Sequence, residues 1–207
     1  MNNFIKEFFI ILHNPDRKGV PVSMATTWNP DLPNCNYYHE PPSLSDIFER
    51  YTLSAKTNQL DGDYFVKDYL VSASFLELCS DFNVRFISAP TNVSLYGNKK
   101  PNKNYYLFFI LDYLSLLDEK KSVFTVAKNI RTGEELTHLN GGKKTYYDKI
   151  EKFCVRDDVF THLFFCDDIA KPVCSREFKE KFELLGLKGV KFEKIDENYK
   201  YDAWEGW

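Results

Sequence analysis

Two adjacent carboxylate pairs are the side chains in this 207-residue chain best placed to do chemistry. Asp157-Asp158 and Asp167-Asp168 flank the apolar run from Val159 to Phe165, so both pairs fall at the ends of a predicted strand. Strand ends in a cleft are positions from which carboxyl groups can pass protons to and from a substrate. Successive strand residues point to opposite faces, so neither pair is by itself a catalytic dyad. Three uses stay open: acids that keep the strand ends solvated, contacts for a basic partner, and general acid–base catalysis.

The other reactive residue types do not assemble into a motif. His13, His39, His138 and His162 are scattered and form no HExxH, HxH or Cys/His metal spacing. Asn140-Gly-Gly-Lys-Lys-Thr145 fails the GxxxxGK[ST] pattern of a phosphate loop, because Thr stands at 137 and Lys at 144. Asp61-Gly62-Asp63 lacks the downstream acids of a calcium loop. Cys35, Cys79, Cys154, Cys166 and Cys174 are odd in number, form no CxxC and sit beside apolar neighbours, which is the usage of reduced, buried thiols. Lys99, Lys100 and Lys103 lack the interleaved aromatics of a nucleic-acid reader. The expectation is a protein without cofactor, metal or nucleic-acid partner, and no enzyme.

Charge sharpens this. Residues 1–150 hold 17 basic and 17 acidic side chains, while residues 151–207 hold 10 and 13, so the net charge of −3 lies wholly in the C-terminal part. Phosphate binding wants the opposite sign, whereas a basic protein surface would be attracted. Lys6 and Glu7 interrupt the N-terminal apolar run, and no stretch reaches the roughly 18–20 apolar residues of a membrane span. A cytoplasmic protein without membrane contact is expected.

These residues need a scaffold, and hydrophobic periodicity outlines one. Strands are predicted at Phe4–His13, Asp63–Ser72, Val84–Ser88, Tyr105–Leu111, Ser122–Ala127, about Glu134–Leu139, and Val159–Phe165. Pro90 is read as a breaker, and Pro21–Pro42, with five prolines, as a long packed loop. Short helices are predicted at Ser43–Tyr51 and Ser74–Phe82, and again after Ser175. The last two repeat one pattern. Ser72 and Ser175 each precede a Phe by three residues, where an N-cap hydroxyl accepts a free helix N–H. Phe75, Leu78, Cys79 and Phe82 then form one helix face, and Phe178, Phe182 and Leu185 the other; Gly186 suits the C′ position. The fold expected is α+β: a mixed, mainly antiparallel sheet with a few short helices packed on it, built on two related strand–cap–helix–strand units.

Val173-Cys-Ser-Arg-Glu-Phe-Lys-Glu followed by Gly186-Leu-Lys-Gly-Val-Lys-Phe192 resembles the closing motif of bacterial polymorphic-toxin immunity proteins, in the families numbered eleven and forty-three of that series. Tyr105-Tyr-Leu-Phe-Phe-Ile-Leu-Asp112 with Leu117-Asp-Glu-Lys-Lys-Ser122 is similar to their middle segment, and so is Leu70-Val-Ser-Ala-Ser-Phe75. The resemblance covers about residues 64–195. It implies a single immunity-type domain over 1–207, with 63–207 its core and 1–62 the less clearly matched part. It further implies a protein that neutralises a cognate toxin domain by tight, non-covalent binding. On that footing Asp157, Asp158, Asp167 and Asp168 are candidate toxin contacts. Tyr201 and Trp204, in an aromatic tail with Tyr199, Trp207, Asp202 and Glu205, form a second candidate patch. A small carboxylate-dependent hydrolase or transferase and a general protein-binding adaptor are the alternatives.

Overall fold

Both serine caps form. In the computed structural model, which describes residues 6–16, 18–137 and 144–204, helix α1 spans Ala73–Asp81 and helix α2 spans Arg176–Leu184. Ser72 Oγ accepts from Phe75 N, and Ser175 Oγ from Phe178 N, each at 3.2 Å. The far ends match as well. Asn83 (φ 51°) and Gly186 (φ 65°) take the left-handed C′ conformation. The next amides, of Val84 and Leu187, reach back to the carbonyls of Cys79 and Phe182 at 2.9 and 3.2 Å, closing a Schellman turn on each helix.

The repeat extends to the strands. The first unit comprises β4 (Tyr64–Phe65), β5 (Leu70–Ser72), α1, β6 (Phe86–Ser94) and β7 (Tyr105–Ile110). The second comprises β11 (Leu163–Cys166), β12 (Lys171–Ser175), α2 and β13 (Val190–Ile195), with β1 (Phe8–His13) supplied by the start of the chain. Strand order β6-β7-β5-β4 corresponds to β13-β1-β12-β11, all antiparallel. Register agrees: Ser72 lies opposite Tyr105 as Ser175 lies opposite Phe8. The second unit is therefore a circularly permuted copy of the first. Its hairpin is four residues longer, and between α2 and β13 it has one residue more than the first unit has between α1 and β6; Gly189 (φ 111°) lies there, where a Cβ would come 2.7 Å from the Tyr64 carbonyl oxygen of the other unit.

Around these units the chain adds β2 (Thr26–Asn29) and β3 (Tyr51–Ala55) to the first sheet, giving β2-β3-β6-β7-β5-β4. The second sheet gains β8 (Tyr113–Leu114) beside β11. A third sheet runs β14 (Tyr201–Asp202), β10 (Tyr147–Lys152), β9 (Val123–Val126). Among the described residues, only β3–β6 and β8–β11 pair in parallel. The architecture is the expected α+β, with the strands shared among three sheets rather than one.

Several local expectations differ. Ser43–Tyr51 forms only a 3-10 turn at Leu44–Asp46: Leu44 and Phe48 are exposed, so no apolar face supports a helix, and Tyr51 instead starts β3. Asp63–Ser72 is a hairpin rather than one strand, turned by Val66–Asp68 and by Tyr69 in the left-handed region. Pro90 lies inside β6. It pairs with Tyr106, but the β3 partner begins only at Thr91, so the missing N–H falls on an unpaired stretch. Leu185 is exposed at the end of α2 rather than in its apolar face. The expected strand Val159–Phe165 begins at Leu163. Of the Glu134–Leu139 segment, Glu135 bridges Lys128 and Leu136 N reaches Ala127 O, while 138–139 and the Asn140-Gly141-Gly142 turn lie outside the described residues.

One apolar cluster joins the units. The ring of Phe75 on α1 meets Phe178 (6.0 Å) and Phe182 (6.2 Å) on α2, and Tyr64 (4.6 Å) and Phe108 (5.5 Å) beneath. Replacing Phe75 with Ala should cost about 3–5 kcal/mol in urea unfolding, as for other buried phenylalanines. Ser175→Ala should cost about 1 kcal/mol. A Phe75→Ala loss no larger than that of Ser175→Ala would mean that the helices do not carry the junction.

Candidate functional site

All four predicted acids line a single groove of about 760 Å³. Strand β11 and its turn deliver Asp167 and Asp168, and the loop after β10 delivers Asp157 and Asp158. The parallel partner β8 leads into Ser115 and Leu117 on the same wall. Six carboxylates line it, because Asp118 and Glu119 join the four; Lys120, Lys144 and Arg156 line it as well, and Lys121 pairs with Asp118 at 2.9 Å and with Asp157 at 3.5 Å, so among the described residues carboxylates still outnumber cations.

The four acids do different work. Asp168 is 6% exposed, and both its oxygens are taken: Oδ2 accepts from Leu116 N (2.6 Å) and Leu117 N (2.9 Å), Oδ1 from Ser115 Oγ (2.8 Å). Burial pushes its carboxyl above the ordinary range, against the pull of those donors. It seats the wall and offers little to a partner. Asp167 is paired with Lys144 at 2.8 Å, both side chains largely shielded. The Arg156 guanidinium grips Asp158 through two bonds of 2.9 and 2.7 Å and holds its carboxyl below the usual range. The Asp157 side chain is 94% exposed, and among the described residues its carboxylate pairs only with Lys121, at 3.5 Å. Of the four it has the most available charge.

Strand β10 leads from the groove to the aromatic tail. Tyr147 lines the groove and donates to Glu119 at 2.8 Å. Lys149, Ile150 and Glu151, farther along β10, line a second depression of about 540 Å³ with Tyr201, Asp202 and Trp204. Tyr201 is half-buried on the sheet, Trp204 is 64% exposed, and Tyr199 is buried in the core against Phe153. Glu205 and Trp207 lie outside the described residues. Sequence reasoning missed Lys144, Tyr147 and Arg156. Only Arg156, next to Asp157-Asp158, gave a local signal.

One pair looks catalytic and is not arranged so. Ser175 Oγ lies 2.8 Å from His162 Nδ1, the spacing of a nucleophile and its base. The equivalent hydroxyl in the other unit, Ser72 Oγ, bonds Asp63 Oδ1 at 2.6 Å, and both hydroxyls accept a helix N–H. Both serines are buried. The pair is a capping device. Among the described residues no three His, Cys, Asp or Glu side chains converge on a metal-sized site. All five cysteines are free thiols, three of them buried. No helix among the described residues is long and apolar enough to cross a membrane.

Residues 13–197 match the model of the immunity protein family Imm11. The chain belongs to that family. Its function is to neutralise a toxin, with a cognate toxin protein as its partner. No curated protein matches the chain. The matched range takes in the four groove acids, whereas Tyr201 and Trp204 lie beyond it.

The buried acid of this immunity protein leaves a pH signature. Its folded carboxyl titrates above the 3.8 of a free aspartate, so in the window opening at 3.8 the folded state holds more protons than the unfolded one. Stability contributed through Asp168 therefore falls as pH rises through that window. Asp168→Asn should make urea midpoints rise more with pH across the window than those of the wild type, because it takes out this one contribution and leaves those of the other carboxyls. An unchanged slope would place its origin elsewhere.

Proposed function

We propose that this immunity protein neutralises its toxin by non-covalent occlusion, with the acidic groove set against a basic surface of the toxin. The observation that carries the reading is the excess of carboxylates over cations in one groove, with Asp157 almost fully exposed at its edge. Asp157, Asp158 and Asp167 make the contacts, and Asp168 acts by holding the 115–117 wall that backs them. Tyr201 and Trp204 extend the surface along β10, as amphipathic aromatics suited to an interface. If the toxin handles nucleic acid, these carboxylates take the place of substrate phosphates. The reading has the whole chain acting as one domain, without catalysis, in the cytoplasm where a delivered toxin is met.

The first test is co-expression with the protein encoded directly upstream, whose C-terminal domain is expected to be the toxin. Rescue of growth and a stable complex support the reading; their absence removes it. In that complex, reversing Asp157 and Asp158 to Lys should slow association about tenfold or more at low salt, and less as salt screens the charges. Asp157 matters more, because Arg156 already offsets Asp158. Unchanged association at low salt would exclude the groove.

A further inference from the structure

Near the acidic groove lies an apolar cavity of about 610 Å³, a volume within the range of binding sites for small groups. Aromatic rings build its sides. Tyr37 stacks on Phe109 at 5.1 Å, Tyr69 packs against both, and Tyr113 stacks on Phe165 at 4.8 Å. Ile11, Tyr64 and Phe108 line it as buried residues. It sits where the two units meet, because Ile11, Leu12 and His13 of β1 and Phe108, Phe109 and Ile110 of β7 are equivalent positions of the repeat.

Two observations mark the cavity as more than a packing fault. Tyr64 is only 5% exposed, yet its hydroxyl has no hydrogen-bond partner among the described residues and is not sealed from the cavity. A hydroxyl that opens onto the cavity can be bonded there by water or by a polar atom of an occupant. At the mouth, Lys67 and Lys171 form no ion pair among the described residues, and Asp68, next to Lys67, does not pair with it within 4.0 Å.

The cavity and the groove are neighbours along β8 and β11. Tyr113 and Phe165 line the cavity, while Ser115 and Asp167, each two residues on and so about 7 Å away, line the groove. Lys144 ties the two together: it pairs with Asp167 in the groove and donates to the Tyr38 carbonyl at 2.9 Å, and Tyr38, 63% exposed, lines the cavity. A partner seated on the groove would therefore reach the cavity mouth. Beside an acidic groove, an aromatic-lined pocket is a place where a buried side chain of a partner can act as an interface hot spot.

We propose that this cavity is the anchor pocket of the toxin interface. It receives one toxin side chain with an apolar body and a polar tip, tyrosine or tryptophan, whose tip bonds Tyr64. That residue projects from a segment basic on the side facing Asp157 and Asp167 and acidic on the side facing Lys67 and Lys171. The inference rests on the occlusion reading above and adds which part of the toxin the protein grips.

The test uses the full chain and the purified toxin domain encoded upstream. Val66→Trp, which fills the cavity from its wall, should raise Kd about 30-fold or more, as loss of an anchor does. Tyr64→Phe removes a single oxygen, keeps the fold and should raise Kd about three- to tenfold, chiefly through faster dissociation. This second variant decides the matter if the first does not fold. N-acetyl-L-tyrosinamide should shift the amide resonances of Tyr69 and Ile110, and the toxin should abolish that shift. Wild-type Kd in both cavity variants, with Asp157→Lys still impaired, would overturn the anchor and leave the groove standing. So would tyrosinamide bound in the cavity together with toxin. Failure of the wild-type chain to bind the toxin would sink both.

Discussion

Phe75 is the contact on which the rest of the structure depends. Two nine-residue helices are too short to persist on their own, so each is held by its serine cap, its Schellman turn and the other's rings. The contacts of Phe75 with Phe178 and Phe182 turn two four-stranded units into one body. Both proposed binding surfaces depend on that junction. The cavity opens between equivalent strands of the two units, and the groove follows β11 and the loops around it.

The groove shows how one residue type serves two ends. A buried carboxylate such as Asp168 is tolerated because three donors satisfy it, and its reward is a fixed wall between β8 and β11. An exposed one such as Asp157 contributes almost nothing to folding and keeps its charge for a partner. Asp158 and Asp167 lie between, each already matched by a cation. On the occlusion reading proposed above, the buried acid holds the shape and the exposed one offers the charge that meets a basic surface. Neither requires catalysis.

What was legible in the sequence was local. Ser-x-x-Phe announces a cap and a helix face within four residues, so both helices and the repeat were readable from Ser72 and Ser175. The permutation was not, because β1 lies more than 150 residues from the strands it completes. Strand β10 escaped for a different reason. Register shifts after Tyr147 and Ile150 put its buried residues three apart, a spacing that does not look like a strand. The two acid pairs were found, but not their fates. Asp168 is claimed by backbone amides some 50 residues away, and Asp167 by a lysine 23 residues away. Counter-charges at such separations leave no mark on local pattern. The tyrosine cavity was invisible likewise, since its walls come from five separate segments of the chain.

Hydrogen exchange of the chain with and without its toxin tests the central claim most directly, because it reports every surface at once. Occlusion through the groove predicts new protection at residues 113–119, 147–151 and 157–168. It predicts none at the outer end of α2, where Leu184 is 79% exposed and free to serve a different interface. Protection confined to α2, with the groove segments exchanging as in the free protein, would contradict the account.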